Sequence, residues 1–261
     1  MNPQEYEIMA GVEHQHWWYR SLRQLTLAVI QKHLRRSPDD LSILDAGCGT
    51  GENLRFLAEC FPSANIDGFD ASETAIAYAR EKSPGADIYQ SDICSPELRR
   101  KTYDIVISCD VICIPGFSQA EQGLQTIISR INPGGLLLLN LPAYNWLRSE
   151  HDLAVHSTER FTRSIVNQAV RRSGLEICVS TYRLCLLFPL VLLSRLPSIL
   201  MPRRSTEEAV SALKPPSNIA NSVLGTIQSL EHRWISGGLT CPFGSSVFVV
   251  ARKPADPTSP Q

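Results

Sequence analysis

The stretch Ile43-Leu44-Asp45-Ala46-Gly47-Cys48-Gly49-Thr50-Gly51 decides the fold of this chain. Its apolar start is typical of a buried strand, and its three alternating glycines allow the backbone of the following turn to approach a ligand closely. The helical pattern NLRFLAECF follows at residues 53–61. Because open parallel sheets bind ligands where their strands end, this order of elements predicts a binding turn at the edge of such a sheet.

The rest of the chain alternates short apolar runs with helical patterns, which predicts a mostly parallel sheet covered by helices on both faces. Ser118 and Glu121 have the spacing of a capping box, so we predict a helix over about 118–131. Asn132-Pro133-Gly134-Gly135 should end that helix and turn the chain into the next strand. A further helix is predicted over 163–174, and the runs LEICVSTY and SSVFVVAR complete the sheet.

The charge balance argues against a protein that binds nucleic acid. Twenty-five basic and twenty-six acidic residues give a formal net charge of -1 among 261 residues, so a polyanionic partner is not expected. The eight cysteines include no CxxC pair, which predicts reduced thiols, a cytoplasmic location and no metal site. The amino-terminal residues lack the basic start and apolar centre of a secretory signal. These observations leave the oligomeric state open.

The spacing of the glycines argues against a nicotinamide dinucleotide. A G-x-G-x-x-G turn would place its third glycine at position 52, where this chain has Glu52, so a dinucleotide-dependent oxidoreductase is the weaker alternative. The segment ILDAGCGTGENLRFL instead resembles the first motif of class I methyltransferases that use S-adenosylmethionine (SAM), and the resemblance covers residues 14–252. It implies a Rossmann-like, seven-stranded sheet with an antiparallel last strand. It also implies methyl transfer from SAM to an oxygen or carbon atom of a small acceptor.

The same resemblance implies which residues bind the cofactor. The turn from Gly47 to Gly51 would lie against the amino-acid part and the ribose, with Asp45 nearby. Asp70 would accept both ribose hydroxyls, and Asp92 would accept the exocyclic amine of adenine. Alternatively, Asp70 caps the helix that starts near Ser72, and Asp92 is an ordinary loop acid. The complete predicted set is Asp45, Gly47, Cys48, Gly49, Gly51, Asp70, Ala71, Asp92, Ile93, Ser108 and Cys109.

The fourth strand, YDIVISCDVICIPG, is expected to run under the cofactor and to end beside the transferring methyl group. Related small-molecule methyltransferases often read D-V-L-E-H where this chain has Asp110-Val111-Ile112-Cys113-Ile114. The missing histidine and its missing acidic neighbour argue against a metal site or a base at that position. They also leave a non-catalytic SAM-binding protein as an alternative. Asp110 and Tyr144 are predicted on the substrate side.

Histidine is the usual base near neutral pH, and His151 and His156 follow the fifth strand. Their segment resembles a subgroup of class I enzymes, many acting near lipid or polysaccharide pathways, that carries an acid, a histidine, an arginine and an aromatic residue. The matching residues here are Asp152, His156, Arg160 and Phe161. We therefore predict His156, with His151 as a second candidate, as a base or substrate ligand. The alternative is that both are exposed loop residues.

Residues 1–36 are predicted to form a helical lid. Their aromatic run resembles the segment with which such enzymes close over cofactor and substrate, and two adjacent tryptophans cannot share one helix face. The predicted lid residues are His16, Trp17, Tyr19 and Arg20. Plain packing of the first helix is the alternative. Residues 37–183 form the predicted SAM-binding core.

Residues 184–243 form a predicted insertion before the last strand at 244–253. The insertion begins with LCLLFPLVLLSRLPSILMPRR, an apolar run interrupted by prolines and an arginine, so a membrane-spanning helix is not expected. Three interpretations remain open: a cover over the substrate pocket, a peripheral membrane contact through residues 184–204, and ordinary core. The first two imply a hydrophobic acceptor. Residues 254–261 contain almost no apolar side chain and are predicted to be disordered.

Overall fold

The computed structural model describes residues 3–200 and 216–255, and these contain seven β-strands. The strands are β1 (Ser42–Ala46), β2 (Asn65–Asp70), β3 (Asp87–Gln90), β4 (Tyr103–Cys109), β5 (Ile131–Pro142), β6 (Glu176–Arg183) and β7 (Ser246–Arg252). Their order in the sheet is β3-β2-β1-β4-β5-β7-β6. Strands β1 to β5 pair in parallel, and β7 is antiparallel to both of its neighbours. The predicted Rossmann-like sheet with an antiparallel last strand is confirmed.

Helices pack around this sheet. The described helices are α1 (Pro3–Val12), α2 (Trp17–His33), α3 (Glu52–Cys60), α4 (Glu73–Lys82), α5 (Phe117–Ser129), α6 (Glu150–Ala154), α7 (Arg163–Arg172), α8 (Phe188–Leu200) and α9 (Asn218–Ser236), with a 3₁₀ turn at Asn145–Leu147. Along α2 the apolar residues with helical spacing, Leu22, Leu25, Val29 and Ile30, are buried. The helix predicted over 163–174 is confirmed as α7.

The start of α5 differs from the prediction. Gly116 precedes the helix, no side chain of its own segment caps it, and Ser118 is exposed, so the predicted capping box with Glu121 is wrong. Instead the Oε2 atom of Glu159 accepts a hydrogen bond from the Phe117 amide at 2.6 Å. A residue 42 positions away in the chain replaces the local cap, which a spacing pattern cannot reveal.

The Asn-Pro-Gly-Gly segment, predicted as a turn after α5, lies inside strand β5. The helix ends at Ser129, and β5 begins at Ile131. A shift of register against β4 between Tyr103 and Ile105 accommodates the segment. Gly134 has a φ of 79° and donates to the Lys253 carbonyl oxygen at 2.8 Å, so the bend is part of the sheet.

The predicted insertion is represented by α8 and α9. Glu231, a fully buried residue of α9, accepts hydrogen bonds from the backbone amides of Leu184 (2.6 Å) and Leu186 (3.0 Å), so the chain leaving β6 is tied to α9. Helix α9 also packs along α2. In the part of the chain that the structure describes, no helix has the length and apolar character needed to cross a bilayer. The predicted disordered tail lies outside the described residues from position 256 onward.

Candidate active site

The glycine turn between β1 and α3 requires its glycines for two different reasons. Gly47, Gly49 and Gly51 have φ values of 86°, 53° and 89°, a region that favours glycine. A Cβ atom on Gly47 would lie 2.2 Å from Val111 Cγ2, and one on Gly51 would lie 2.6 Å from the Cα atom of Ala79. Gly47 and Gly51 therefore allow close packing, whereas Gly49 faces the amino-terminal segment at the open side of the turn.

Two carboxylates flank this turn. Asp45 is 1% exposed, and neither of its oxygens has a hydrogen-bond partner within 3.5 Å among the described residues. Burial raises the pKa of Asp45 to about 7, although the Asn53 side chain lies close enough to lower it. Asp70 accepts hydrogen bonds from the amides of Gly49 (3.0 Å) and Ser72 (2.9 Å), so it joins the turn to the start of α4. Ser72 itself caps α4 through the Ala75 amide, so Asp70 is free of that role.

The segment after β3 contains the predicted adenine-side residues. Asp92 is exposed, and its Oδ1 atom accepts a hydrogen bond from the Cys94 amide at 2.8 Å. Ile93 is buried, and its carbonyl oxygen lies 1.8 Å from where a Cβ atom on Gly123 would stand, so α5 packs directly on this segment. Ala71, in the neighbouring loop, accepts a hydrogen bond from Gln90 at 3.0 Å. These contacts fix both loops at the same sheet edge.

The end of β4 borders the glycine turn. Ser108 is buried and donates a hydrogen bond to the Ala46 carbonyl oxygen at 2.9 Å, so its hydroxyl is used to join β4 to β1. Burial raises the pKa of Cys48 and Cys109 well above the ordinary value of a thiol, so both remain protonated at neutral pH. A protonated thiol is a poor nucleophile and a poor metal ligand. Among the residues described, no group of three or more His, Cys, Asp or Glu side chains could hold a metal ion.

A row of polar side chains continues from the end of β4 across the sheet edge. Asn140, at the end of β5, donates to Asp110 Oδ2 at 2.9 Å and accepts from Arg183 Nη1 at 3.0 Å. Arg183, the last residue of β6, is completely buried and also reaches Ser21 of α2 at 3.3 Å. Burial raises the pKa of Asp110 to about 6. We refer to Asp110, Asn140 and Arg183 as the polar row.

Sequence reasoning missed Asn140 and Arg183. The available signal was the one polar residue that ends LLLLN and the arginine that ends EICVSTYR. A polar group that is placed in a buried strand normally requires a partner, and both partners here come from other strands. The sequence does not show which strands are neighbours, so it could not reveal the row.

The amino-terminal segment lies over the cofactor edge, and Glu13 fastens it there. The Glu13 carboxylate pairs with Lys82 of α4 and also accepts from the Thr50 hydroxyl in the glycine turn. The Lys82 ammonium also donates to the Ala10 carbonyl oxygen at 3.0 Å. Met9 Cε would lie 3.2 Å from a Cβ atom on Gly49, so the segment contacts the open side of the turn.

The four predicted lid residues face different directions. Burial raises the pKa of Tyr19, and the nearby charges of Glu13, Asp110 and Glu5 raise it further. His16 caps α2 by accepting from the Trp18 amide, while the Trp17 amide donates to Asn221 of α9 at 2.8 Å. Arg20 is exposed on the outer surface. Tyr19 therefore lies beside the polar row, whereas Arg20 lies away from it.

His151 and His156 occupy different environments. His156 is exposed at a turn and has a φ of 59°. His151 is partly buried, and burial lowers its pKa, with charges of Arg195, Asp152, Arg160 and Glu5 acting on it. Of the two histidines, His151 is therefore the more buried.

The residues that resemble the acid and arginine of the enzyme subgroup form an ion pair. Arg160 donates from Nε to Asp152 Oδ1 at 2.7 Å and from Nη2 to Oδ2 at 3.0 Å, and both residues are buried. A third bond goes from Arg160 to the Ala143 carbonyl oxygen at 2.9 Å. This pair joins α6 to the chain that follows β5, so it holds His151 in place.

Tyr144 belongs to an aromatic cluster beside the end of β5. Its ring stacks on Tyr182 at 5.1 Å and on Trp146 at 5.6 Å. Phe188 of α8 contacts both Tyr144 and Trp146, and Phe243 lies 5.3 Å from Phe188. The cluster links the segment after β5 to the insertion.

The sequence of this edge matches a known family. Residues 43–135 match a family model described as "Methyltransferase domain". Trans-aconitate 2-methyltransferase from Variovorax paradoxus (strain S110) is 28% identical over 51% of this chain and 47% of its own length. A dTDP-3-amino-3,6-dideoxy-alpha-D-glucopyranose N,N-dimethyltransferase from Streptomyces fradiae is 27% identical over 43% of this chain and 42% of its own length. The chain spans about half the length, or less, of the curated relatives it matches.

Solved structures share the fold. Magnesium protoporphyrin IX methyltransferase from Synechocystis PCC 6803, with bound SAM, has a TM-score of 0.53 and 15% identity, covering 93% of this chain and 80% of that one. The [4+2]-cyclase SpnF has a TM-score of 0.57 and 17% identity, covering 92% and 84%. The match over residues 43–135 and these shared folds show that the chain has the fold of class I SAM-dependent methyltransferases. SAM is the cofactor of this class, and Asp45, which is buried beside the glycine turn without a cationic partner among the described residues, fits it.

Proposed function

We propose that this protein transfers the methyl group of SAM to a small-molecule acceptor. The observation that carries the proposal is the Asp45 carboxylate, which is buried without a cationic partner among the described residues, beside a glycine turn of the methyltransferase type. A buried charge without a partner is costly, and the cationic amino group of the cofactor would remove that cost. When bound, SAM supplies an electrophilic methyl group on its sulfonium.

We assign the remaining cofactor contacts from the geometry of the edge. Each Asp70 oxygen accepts one backbone amide and retains a further lone pair for a ribose hydroxyl. Gly49 allows close approach of the amino-acid part, and Asp92 with Ile93 would border adenine. The other members of the predicted set, Cys48, Ala71, Ser108 and Cys109, would line the same edge through packing and backbone atoms.

Calorimetry tests this assignment. We expect SAM and S-adenosylhomocysteine (SAH) to bind and NAD not to bind. Gly49→Ala should weaken SAH binding by about tenfold, because the free turn would relax out of the left-handed conformation and restoring it on binding would cost about 1–2 kcal/mol. The matched control is Gly85→Ala, where an added Cβ atom meets nothing within 4 Å, and its affinity should stay within about twofold. Binding of NAD, or no binding of SAM, would contradict the proposal.

On the acceptor side we propose His151, Tyr19 and Asp110 as contacts, and we favour His151 over His156. The support is that His151 is partly buried beside the lid carboxylate Glu5, whereas His156 is exposed. His151→Gln should therefore reduce methyl transfer, and His156→Ala should leave it intact. If His156→Ala reduced methyl transfer and His151→Gln did not, the acceptor contact would be assigned to His156 instead.

A non-catalytic SAM-binding protein is the alternative in a different class. Incubation with radiolabelled SAM and a small-molecule extract separates the two, because only an enzyme moves label into the extract. The names of the relatives suggest two acceptors for the same assay, trans-aconitate and an amino sugar nucleotide. Tight SAH binding with no transfer to any acceptor would favour the alternative.

We further propose that the protein is cytoplasmic and touches a membrane surface through residues 184–204, of which 201–204 lie outside the described residues. The support is that Leu190 and Leu193 of α8 are 52% and 63% exposed, and that Phe188 of the same helix contacts the exposed rings of Trp146 and Phe243. Leucine and aromatic side chains of this kind insert at a lipid interface.

Flotation with phosphatidylcholine–phosphatidylglycerol vesicles tests the membrane contact. The wild type should float, and Leu190→Glu with Leu193→Glu should not. Ile219→Glu on α9, also highly exposed, is the matched control and should float normally. If the wild type stays at the bottom of the gradient, the pocket-cover interpretation is favoured instead.

A further inference from the structure

Asp110 occupies an unusual position at the end of β4. It is not a glycine, yet its φ is 59°, in the left-handed region. Its amide donates to the Asn140 carbonyl oxygen at 2.7 Å, and its Oδ2 atom accepts from Asn140 Nδ2 at 2.9 Å. Strained backbone of this kind persists where surrounding contacts enforce it, and such positions cluster at functional sites.

The location of Asp110 places it next to the cofactor turn. The following residue, Val111, packs into the space above Gly47, where a Cβ atom would clash with it. Asp110 Oδ1 makes no hydrogen bond to another described residue, and the side chain is partly exposed. One oxygen of this carboxylate is therefore held by Asn140, and the other has no hydrogen-bond partner among the described residues.

We propose that Asp110 is the proton acceptor of the methyl-transfer reaction, and that Asn140 and Arg183 are positioning residues for it. This inference rests on the proposed function. The acceptor is then a hydroxyl or amine compound. Its oxygen or nitrogen forms the bond to the methyl carbon, the carbon–sulfur bond breaks with its electron pair passing to sulfur, and the acceptor proton passes to Asp110 Oδ1.

The charges around Asp110 agree with this role. Arg183 faces it from β6, Arg160 and Asp152 from the chain after β5, and Tyr19 from α2. Cys113 contacts the Asp110 carbonyl oxygen at 3.1 Å. Burial, opposed by the Asn140 hydrogen bond and the two arginines, leaves the pKa of Asp110 at about 6. A base with a pKa near the working pH is ionised at pH 7 and still takes up a proton effectively.

The polar row also argues against a carboxylate as the methylated group. A carboxylate at neutral pH has no proton to give up, and its charge would be repelled by the Asp110 carboxylate. Arg183 does not compensate, because it is buried behind Asn140 and bonded to it. The sequence pattern argued against a base at this position because a histidine was missing. In our proposal Asp110, positioned by Asn140 and Arg183, serves as the base instead.

The test measures binding and transfer in the same samples. Wild type, Asp110→Asn and the surface control Asp39→Asn are titrated with SAH. They are then incubated with labelled SAM and catechol, propylamine, trans-aconitate or a small-molecule extract. Mild alkali releases label from methyl esters and leaves aryl ethers and methylamines intact. Asparagine tolerates the left-handed backbone, so Asp110→Asn should fold.

We expect alkali-stable label, transfer reduced about 100-fold or more in Asp110→Asn, and an SAH affinity within about threefold of wild type. Asp39→Asn should match the wild type. Asn140→Leu should move the acidic limb of the pH–rate profile to higher pH, because the lost hydrogen bond favoured the ionised carboxylate. A merely structural role of Asn140 would not shift that limb.

Three results would overturn the assignment: label found only in methyl esters, undiminished transfer by Asp110→Asn, or no transfer to any hydroxyl or amine compound although SAH binds. Failure of the wild type to bind SAH would instead contradict the proposed function itself. The two failures are therefore distinguishable.

Discussion

The two halves of the sheet edge are built in different ways. The half formed by β1, β2 and β3, which we call the cofactor half, presents a glycine turn and short loops. Its strands and helices follow one another directly in the sequence. The half formed by β4, β5 and β6, which we call the acceptor half, presents side chains from distant parts of the chain, such as Asp110, Asn140 and Arg183. A cofactor of fixed shape can be held by local backbone geometry, whereas an acceptor requires side chains assembled by the fold.

The largest effect is expected on the acceptor half, at the buried ion pair. Arg160→Met leaves the Asp152 carboxylate buried without its partner and should lower the free energy of unfolding by about 3–5 kcal/mol. Urea denaturation measures this change. The double variant Arg160→Met with Asp152→Leu should recover much of the loss. A loss below about 1 kcal/mol in the single variant would mean that this half does not depend on its buried side chains.

A somewhat smaller effect is expected in the cofactor half, at Gly51. An alanine there would have its Cβ atom 2.6 Å from the Cα atom of Ala79, on a backbone with a φ of 89°. The left-handed conformation and the overpacking should together cost about 2–4 kcal/mol. Thermal unfolding of Gly51→Ala beside Gly85→Ala measures the difference. Equal stability of the two variants would show that the turn is less constrained than we describe.

The smallest effect is a pH dependence of cofactor binding through Asp45. Its carboxyl group, with a pKa of about 7, must ionise to attract the amino group of SAH, so affinity should rise with pH through 7 and level off above it. Between pH 7.5 and pH 6 we expect a loss of about eightfold, the change in the ionised fraction.

Stability of the protein without cofactor should change in the opposite direction. Burial raises the folded pKa of Asp45 above that of the unfolded chain, so the folded state retains a proton that the unfolded chain has released. The stabilising contribution is present below about pH 4 and is lost as the pH rises to about 7. Asp45→Asn should remove both dependences. A pH dependence that persists in Asp45→Asn would assign it to another group.

The comparison also explains which sequence predictions held. The sheet and the helix after Thr162 were predicted because hydrophobic periodicity reflects burial directly. The capping box at Ser118 was wrong because Glu159, distant in sequence, occupies that role. The Asn-Pro-Gly-Gly turn was misplaced because a strand can absorb such a bend through a shift of register. Among the predicted lid residues, only the fold shows that Tyr19 is partly buried and that Arg20 is exposed.

The sequence by itself determined the glycine turn, the alternation of strands and helices, and the class of cofactor. These depend on backbone conformation and on burial period, which neighbouring residues control. Only the tertiary structure brought Asp110, Asn140 and Arg183 into one row, turned His151 inward and left His156 exposed. Those arrangements depend on which strands are neighbours and on which helices cover them, and no local pattern of residues encodes that order.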